Sequence, residues 1–260
     1  THAEIIEAAA KAKKHIFCEK PIDLSLEKIK SAISTVEENN VKFQVGFNRR
    51  FDPNFTKIAN DISEGKISDP HLLRIASRDP GPPPLEYVKV SGGLFLDMAI
   101  HDFDMARFLL KDEVEEVYAT GAALINPDIK QYDDVDTALT TLKFRSGAMC
   151  TIDNSRKAAF GYDQRVEVLG ATGALVCHNN GANNVELWNE QGSQMDPPHF
   201  FFLERYNDSY IVEMNEFVDC LVNDKQPSCG GHDGFQAVVI GLAAKKSLAE
   251  NRPVKISEII

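Results

Sequence analysis

Apolar residues recur every three or four positions over residues 2–14, where Ile5, Ile6 and Ala9 share a face. They do so again over 26–38, where Leu26, Ile29, Ile33 and Val36 line up. Both stretches are therefore expected to be helical. Thr1 and Glu4 read as a capping box for the first, and Lys11, Lys13 and Lys14 suit its C-terminal dipole. Ser25 stands where the second needs an N-cap, and Asn39-Asn40 stops it. Two short apolar runs, 15–19 and 41–47, follow these helices and predict strands. Alternation of helix and strand implies a parallel sheet with crossover helices.

The polar run Asn48-Arg49-Arg50-Phe51-Asp52-Pro53 leads into a third helix ending near Gly65. Asp52 is its cap and Pro53 its first residue. Residues 71–77 predict a strand. Arg78-Asp79-Pro80-Gly81-Pro82-Pro83-Pro84 excludes regular structure and predicts a stiff loop. Gly92-Gly93 then opens a helix expected to run unbroken to Leu110. On it Asp97, His101 and Asp104 fall on one face, while Leu96, Ile100, Phe103 and Phe108 turn toward a core. Beyond residue 114 the pattern becomes strand-like over 114–124, 136–144, 148–154, 165–169, 174–178 and 185–189. Turns at Arg145-Ser146-Gly147 and Ala171-Thr172-Gly173 imply a mostly antiparallel sheet. Helices over 204–222 and 234–249 close the chain. The fold class is α/β followed by α+β.

Charge adds a boundary. Residues 1–46 hold seven basic and seven acidic residues, so the remainder carries the whole net charge of −11. That predicts a division into 1–46 and 47–260. An acidic chain of pI about 5.1 argues against nucleic acid or an anionic membrane as partner. No apolar run is long enough for a membrane span. Five scattered cysteines without a C-x-x-C pair fit free thiols in the cytoplasm, with little support for thiolate zinc. Asp133, Asp134 and Asp136 read as a solvated strand entry. Tyr206 and Tyr210 read as core or interface, and Trp188 as part of a dimer face.

Two clusters can carry chemistry. Glu19-Lys20-Pro21 follows a strand in an α/β segment, at the end where open parallel sheets place ligands. Lys20 there can polarise an oxygen or hold an anion; alone, it reads more readily as a surface lysine. Asp97 one helical turn before His101 can fix an imidazole tautomer and make it an oriented base. Alone, that pair also reads as helix scaffold. Together the three groups can move a proton on and off a hydroxyl beside a hydride acceptor. Two readings compete. Asp97, His101, Asp102 and Asp104 could ligate a divalent metal in a hydrolase, although Lys20 would repel the cation. The chain could also be a non-catalytic module that pairs through its sheet.

Four motifs in this order make the chain resemble the glucose-fructose oxidoreductase/inositol dehydrogenase/rhizopine-catabolism (Gfo/Idh/MocA) family over essentially its whole length. They are Glu19-Lys20-Pro21; Gln44 through Pro53; Gly92-Gly93 with Asp97, His101, Asp102 and Asp104; and Phe160-Gly161-Tyr162-Asp163. The inositol 2-dehydrogenase branch is the nearest. The resemblance implies the C-terminal part of a Rossmann domain followed by a substrate and oligomerisation domain. It implies oxidation of a hydroxyl of inositol or a related polyol or sugar to a ketone, with NAD, or NADP, taking the hydride. It makes Lys20, Asp97 and His101 catalytic, with Asp97 holding His101. Asn48, Arg49, Asp79 and Tyr162 would bind substrate; His2, Glu19, Lys20 and Pro21 would flank the cofactor. The family's glycine-rich turn is absent from these 260 residues. A missing leading portion of roughly 60–80 residues is therefore expected. Weak NAD binding and inactivity of the chain by itself follow from that expectation. A homo-oligomer, dimer or tetramer, is expected through the sheet.

Overall fold

The computed structural model describes all 260 residues. Helix α1 (His2–Lys11) precedes strand β1 (Ile16–Glu19), α2 (Leu26–Asn39) and β2 (Phe43–Gly46). β1 and β2 pair in parallel, as the alternating pattern requires. Ser25 caps α2 by accepting from the Lys28 amide. The capping box expected at α1 does not form: Thr1 makes no side-chain bond to the helix. A 3₁₀ turn (Asn48–Phe51) leads to α3 (Pro53–Ser63), where Asp52 accepts from the Asn54 and Phe55 amides.

Strand β3 (Pro70–Arg78) is followed by three helices, α4 (Leu85–Ser91), α5 (Leu94–Asp97) and α6 (Ile100–Leu110). Then come β4 (Val114–Ala122), β5 (Thr137–Phe144), β6 (Met149–Ser155), β7 (Asp163–Gly170) and β8 (Ala174–Cys177). A hairpin of β9 (Glu186–Asn189) and β10 (Gly192–Met195) stands apart, with Trp188 77% exposed. Helices α7 (Phe202–Arg205), α8 (Asn207–Val222) and α9 (Gly231–Glu250) and a short β11 (Val254–Lys255) complete the chain.

Seven strands form one sheet in the order β11-β4-β5-β6-β3-β7-β8. The sheet is mixed: β3 and β6 pair in parallel, and the other five pairings are antiparallel. β3 enters between β6 and β7 and runs parallel to β6, because the α4–α6 crossover separates them in the chain. Turn signals report only the short connections, so they missed this pairing.

Two apolar clusters organise the molecule. The larger packs one face of the sheet against α3, α6 and α9, with Phe103, Phe144, Leu109 and Val239 fully enclosed. The smaller joins α1, β1, α2 and β2 to Leu96, Ile100, Ala237 and Val238. The α5–α6 segment thus touches both, which fixes it between the first 47 residues and the sheet. No helix is long and apolar enough to cross a membrane.

Of the acidic group at 133–136, Asp133 is exposed as expected, but Asp134 and Asp136 are not solvated. Asp134 is buried and takes the Leu94 amide at 3.0 Å, capping α5. Asp136 is buried and accepts from the amides of Leu124, Ile125 and Asn126 at 2.8–2.9 Å. Gly93 is required beside Asp134. Its φ is +81°, and a Cβ there would lie 2.6 Å from Asp134 Oδ1.

One buried carboxyl has no counter-charge. Glu213 on α8 is 1% exposed and both its oxygens lack partners. Burial, with Glu19, Glu216 and Asp104 adding repulsion, pushes it up to about 8 from an ordinary 4.5. The folded state therefore binds this proton more tightly than the unfolded chain. Its contribution to stability is lost as pH rises through that interval. Glu213→Gln is expected to stabilise the fold by several kcal/mol, up to about 5, above pH 8 and to change little below pH 4.5. Thermal melts across pH check this; an equal effect at both ends would refute it.

Candidate active site

A cavity of about 730 Å³ opens between the end of β1, the α5–α6 junction and the end of β6. Glu19, Lys20, Asn48, Arg49, Asp79, Asp97, His101 and Tyr162 all line it. These come from five separate stretches of sequence. His2 and Pro21 do not line it: His2 Nδ1 meets the Pro21 carbonyl at 2.7 Å, which ties α1 to the turn after β1.

The expected single helix over 94–110 is broken. The Ala99 amide reaches back five residues to the Leu94 carbonyl, while the His101 amide bonds only three back, to Met98. One wide turn followed by one tight turn separates α5 from α6. Asp97 therefore ends one helix and His101 sits in the first turn of the next.

The expected Asp97–His101 bond is absent, and this is a correction. Asp97 Oδ1 accepts from the Tyr87 hydroxyl at 2.8 Å, and Oδ2 accepts from Arg156 at 2.7 Å. Lys20 Nζ donates to the Asp97 backbone carbonyl at 2.6 Å and stands 3.8 Å from its Oδ1. His101 packs edge-on against Phe47, and its buried Nδ1 has no partner.

Asp104 does not join this face either. Arg50 grips it through two bonds of 2.8 and 2.6 Å, deep beside α9. Asp102 is fully buried, paired with Arg49 and accepting from Asn154 at 2.8 Å. Removing one member of such a buried pair costs about 3–5 kcal/mol, so both read as scaffold. With these two acids engaged, no group of three ligands for a metal remains.

The electrostatics favour proton transfer. Burial holds His101 well below its ordinary 6.5, and the Lys20 and Arg49 charges push the same way. The imidazole is neutral at physiological pH. Burial also lowers Lys20, although the Asp97 charge opposes the shift. Burial and the neighbouring Asp97 raise Tyr87 to about 12, so its hydroxyl remains a donor.

Several wall residues carry no recognisable local motif. Arg156, buried just after β6, bridges Asp79 at 3.1 Å and Asp97 at 2.7 Å. Tyr87, Met98, Phe201 and Phe202 also line the cavity. Tyr206 and Tyr210, assigned from sequence to core or interface, both reach it. Tyr206 is buried edge-on against Tyr162, 6.0 Å away, and lies under the Arg49 guanidinium. The i, i+4 spacing of Tyr206 and Tyr210 was a visible signal; Arg156 offered only its place six residues before Tyr162.

Comparison with known proteins gives two family matches. Residues 1–47 match "Oxidoreductase family, NAD-binding Rossmann fold" and residues 59–256 match "Oxidoreductase family, C-terminal alpha/beta domain". A myo-inositol 2-dehydrogenase of Thermotoga maritima is 50% identical over 260 residues, covering all of this chain and 78% of the relative. An inositol 2-dehydrogenase of Rhizobium meliloti is 43% identical, with 99% and 78% covered. The crystal structure of scyllo-inositol dehydrogenase from Lactobacillus casei with bound NAD(H) and scyllo-inositol superimposes with a TM-score of 0.91. It shares 32% identity, covering 98% of this chain and 77% of that one. The chain spans about 78% of the length of these curated relatives.

Proposed function

Because the chain belongs to the Gfo/Idh/MocA oxidoreductase family, we propose that it is an NAD-dependent dehydrogenase that oxidises one hydroxyl of an inositol or closely related cyclic polyol. The observation that carries this reading is the meeting of Lys20 and a neutral, unpartnered His101 at one polar cavity. His101 accepts the hydroxyl proton. Lys20, held by the Asp97 carbonyl, stabilises the negative charge that develops on the oxygen. Asn48, Arg49, Asp79 and Tyr162, with Tyr210, offer hydrogen bonds to the remaining hydroxyls.

The residues present fit the nicotinamide end of NAD. The end of a parallel strand delivers Glu19 and Lys20 to the cavity, and His101 Nδ1 is a buried polar atom without a partner. When bound, NAD supplies the hydride acceptor. Glu19 and Lys20 would flank it, with Pro21 and His2 supporting the turn behind them.

Residues 1–46 form the cofactor side of this site in our reading, and 47–260 the substrate side. The exposed apolar residues Leu139, Met149, Leu169 and Val176 on the outer sheet face support pairing with a second copy. Five free, buried cysteines support a cytoplasmic setting. The whole protein is expected to reduce NAD when given myo- or scyllo-inositol, followed spectrophotometrically. No turnover with any inositol isomer or cyclic polyol would overturn the proposal.

A further inference from the structure

Asp97 is contested by three donors, and they do not share it equally. Arg156 holds Oδ2 at 2.7 Å and Tyr87 holds Oδ1 at 2.8 Å, while Lys20 Nζ remains 3.8 Å from the carboxylate. That last distance is too long for a hydrogen bond. In a site this enclosed, an unrestrained carboxylate and ammonium would close to direct contact. Something therefore keeps them apart, and Arg156 is the side chain placed to do it.

Arg156 is itself firmly anchored. It is 4% exposed, and its other arm bonds Asp79 at 3.1 Å. The Asp79 backbone is pinned on both sides. Its amide donates to the Ser155 carbonyl at 2.9 Å, and its carbonyl accepts from the Ala158 amide at 2.6 Å. The guanidinium thus stands on a rigid strand end, not on a free loop.

Building on the function proposed above, we infer that Arg156 is a positioning residue: it draws the Asp97 carboxylate away from Lys20, so that the ammonium is aimed by the Asp97 backbone carbonyl and keeps its other N–H donors for the reacting oxygen. Tyr87 assists from the opposite oxygen. The charged and titratable groups facing Lys20 are Glu19 from β1, Arg49 from the turn after β2, Asp97 from α5, His101 from α6 and Arg156. Of the two carboxylates among these, Asp97 is the one already within 4 Å of the ammonium, and it is free to close on Lys20 once Arg156 is removed. Such a pair would occupy the ammonium and raise its proton affinity.

The test is kcat/KM against pH in the whole protein for Arg156→Gln, Arg156→Lys and Tyr87→Phe, with Lys20→Ala run alongside. Arg156→Gln is expected to lose about 10–100-fold in kcat. Its alkaline limb should move up by about one pH unit while the acid limb stays in place. Arg156→Lys should restore most of the limb position. Tyr87→Phe, at a half-exposed site that does not threaten folding, should shift the limb the same way by less. An unmoved alkaline limb in Arg156→Gln and Tyr87→Phe would reduce Arg156 to scaffold and overturn the inference. Should Arg156→Gln fail to fold, Tyr87→Phe decides alone. Wild-type turnover in Lys20→Ala would remove the proposed function, and this inference with it.

Discussion

His101→Ala is expected to lower kcat for inositol oxidation by about 10²–10⁴-fold, the range for loss of a general base. KM should change little, because in the proposed reaction the ring accepts a proton, and it anchors no neighbour. His101 makes no side-chain hydrogen bond that holds another element, and its one clear packing partner is Phe47. The fold should therefore survive, and a thermal melt close to wild type would verify that. The pH dependence gives a second check. Burial and the Lys20 and Arg49 charges depress the imidazole, so the wild-type acid limb should lie below the ordinary 6.5. As pH falls through the depressed value, the base is protonated and the rate drops. In His101→Ala that limb should vanish. Persistence of the same limb would assign the base to another group.

Lys20→Ala should cost about 10²–10³-fold in kcat, as expected when a preorganised donor to a developing oxyanion is lost. Lys20→Arg should not rescue it. The lysine makes a single 2.6 Å bond to the Asp97 carbonyl from a narrow strand end, and a planar fork cannot reproduce a point donor in that space. The double variant with His101→Ala should be scarcely worse than the poorer single one, since both groups serve one proton and one oxygen. Full additivity would mean that they act on separate steps.

The alternation of α1, β1, α2 and β2 was legible because each element is short and strongly patterned, and α2 is capped locally by Ser25. The same holds for the Asp52-Pro53 helix start and for most strands after residue 114. Lys20 could be placed at a strand end because position along a parallel strand follows from element order alone. The relation of Asp97 to His101 could not. A slip of one hydrogen-bond register at Met98-Ala99 leaves no mark in an apolar, helix-favouring run. The partners of Asp97 come from residues 87 and 156, which only the folded sheet brings near. The buried acids at 134 and 136 were misread for the same reason. Each satisfies backbone amides whose need for a partner is invisible until the chain has turned. The parallel entry of β3 was hidden because no local signal specifies which strand a crossover returns to.

That parallel entry has a further consequence. Asp97 and His101 lie in the chain between β3 and β6, whose pairing closes a loop of about 80 residues at the middle of the sheet. This is a high-contact-order closure, and β6 is made after the helices it encloses. These two side chains of the candidate site should therefore become ordered late in folding, once β6 and β7 have clasped β3. By the same topology they should not open as a separate unit: amide exchange along α6 should track global unfolding, so that loss of the cavity's geometry and loss of the fold are one cooperative event.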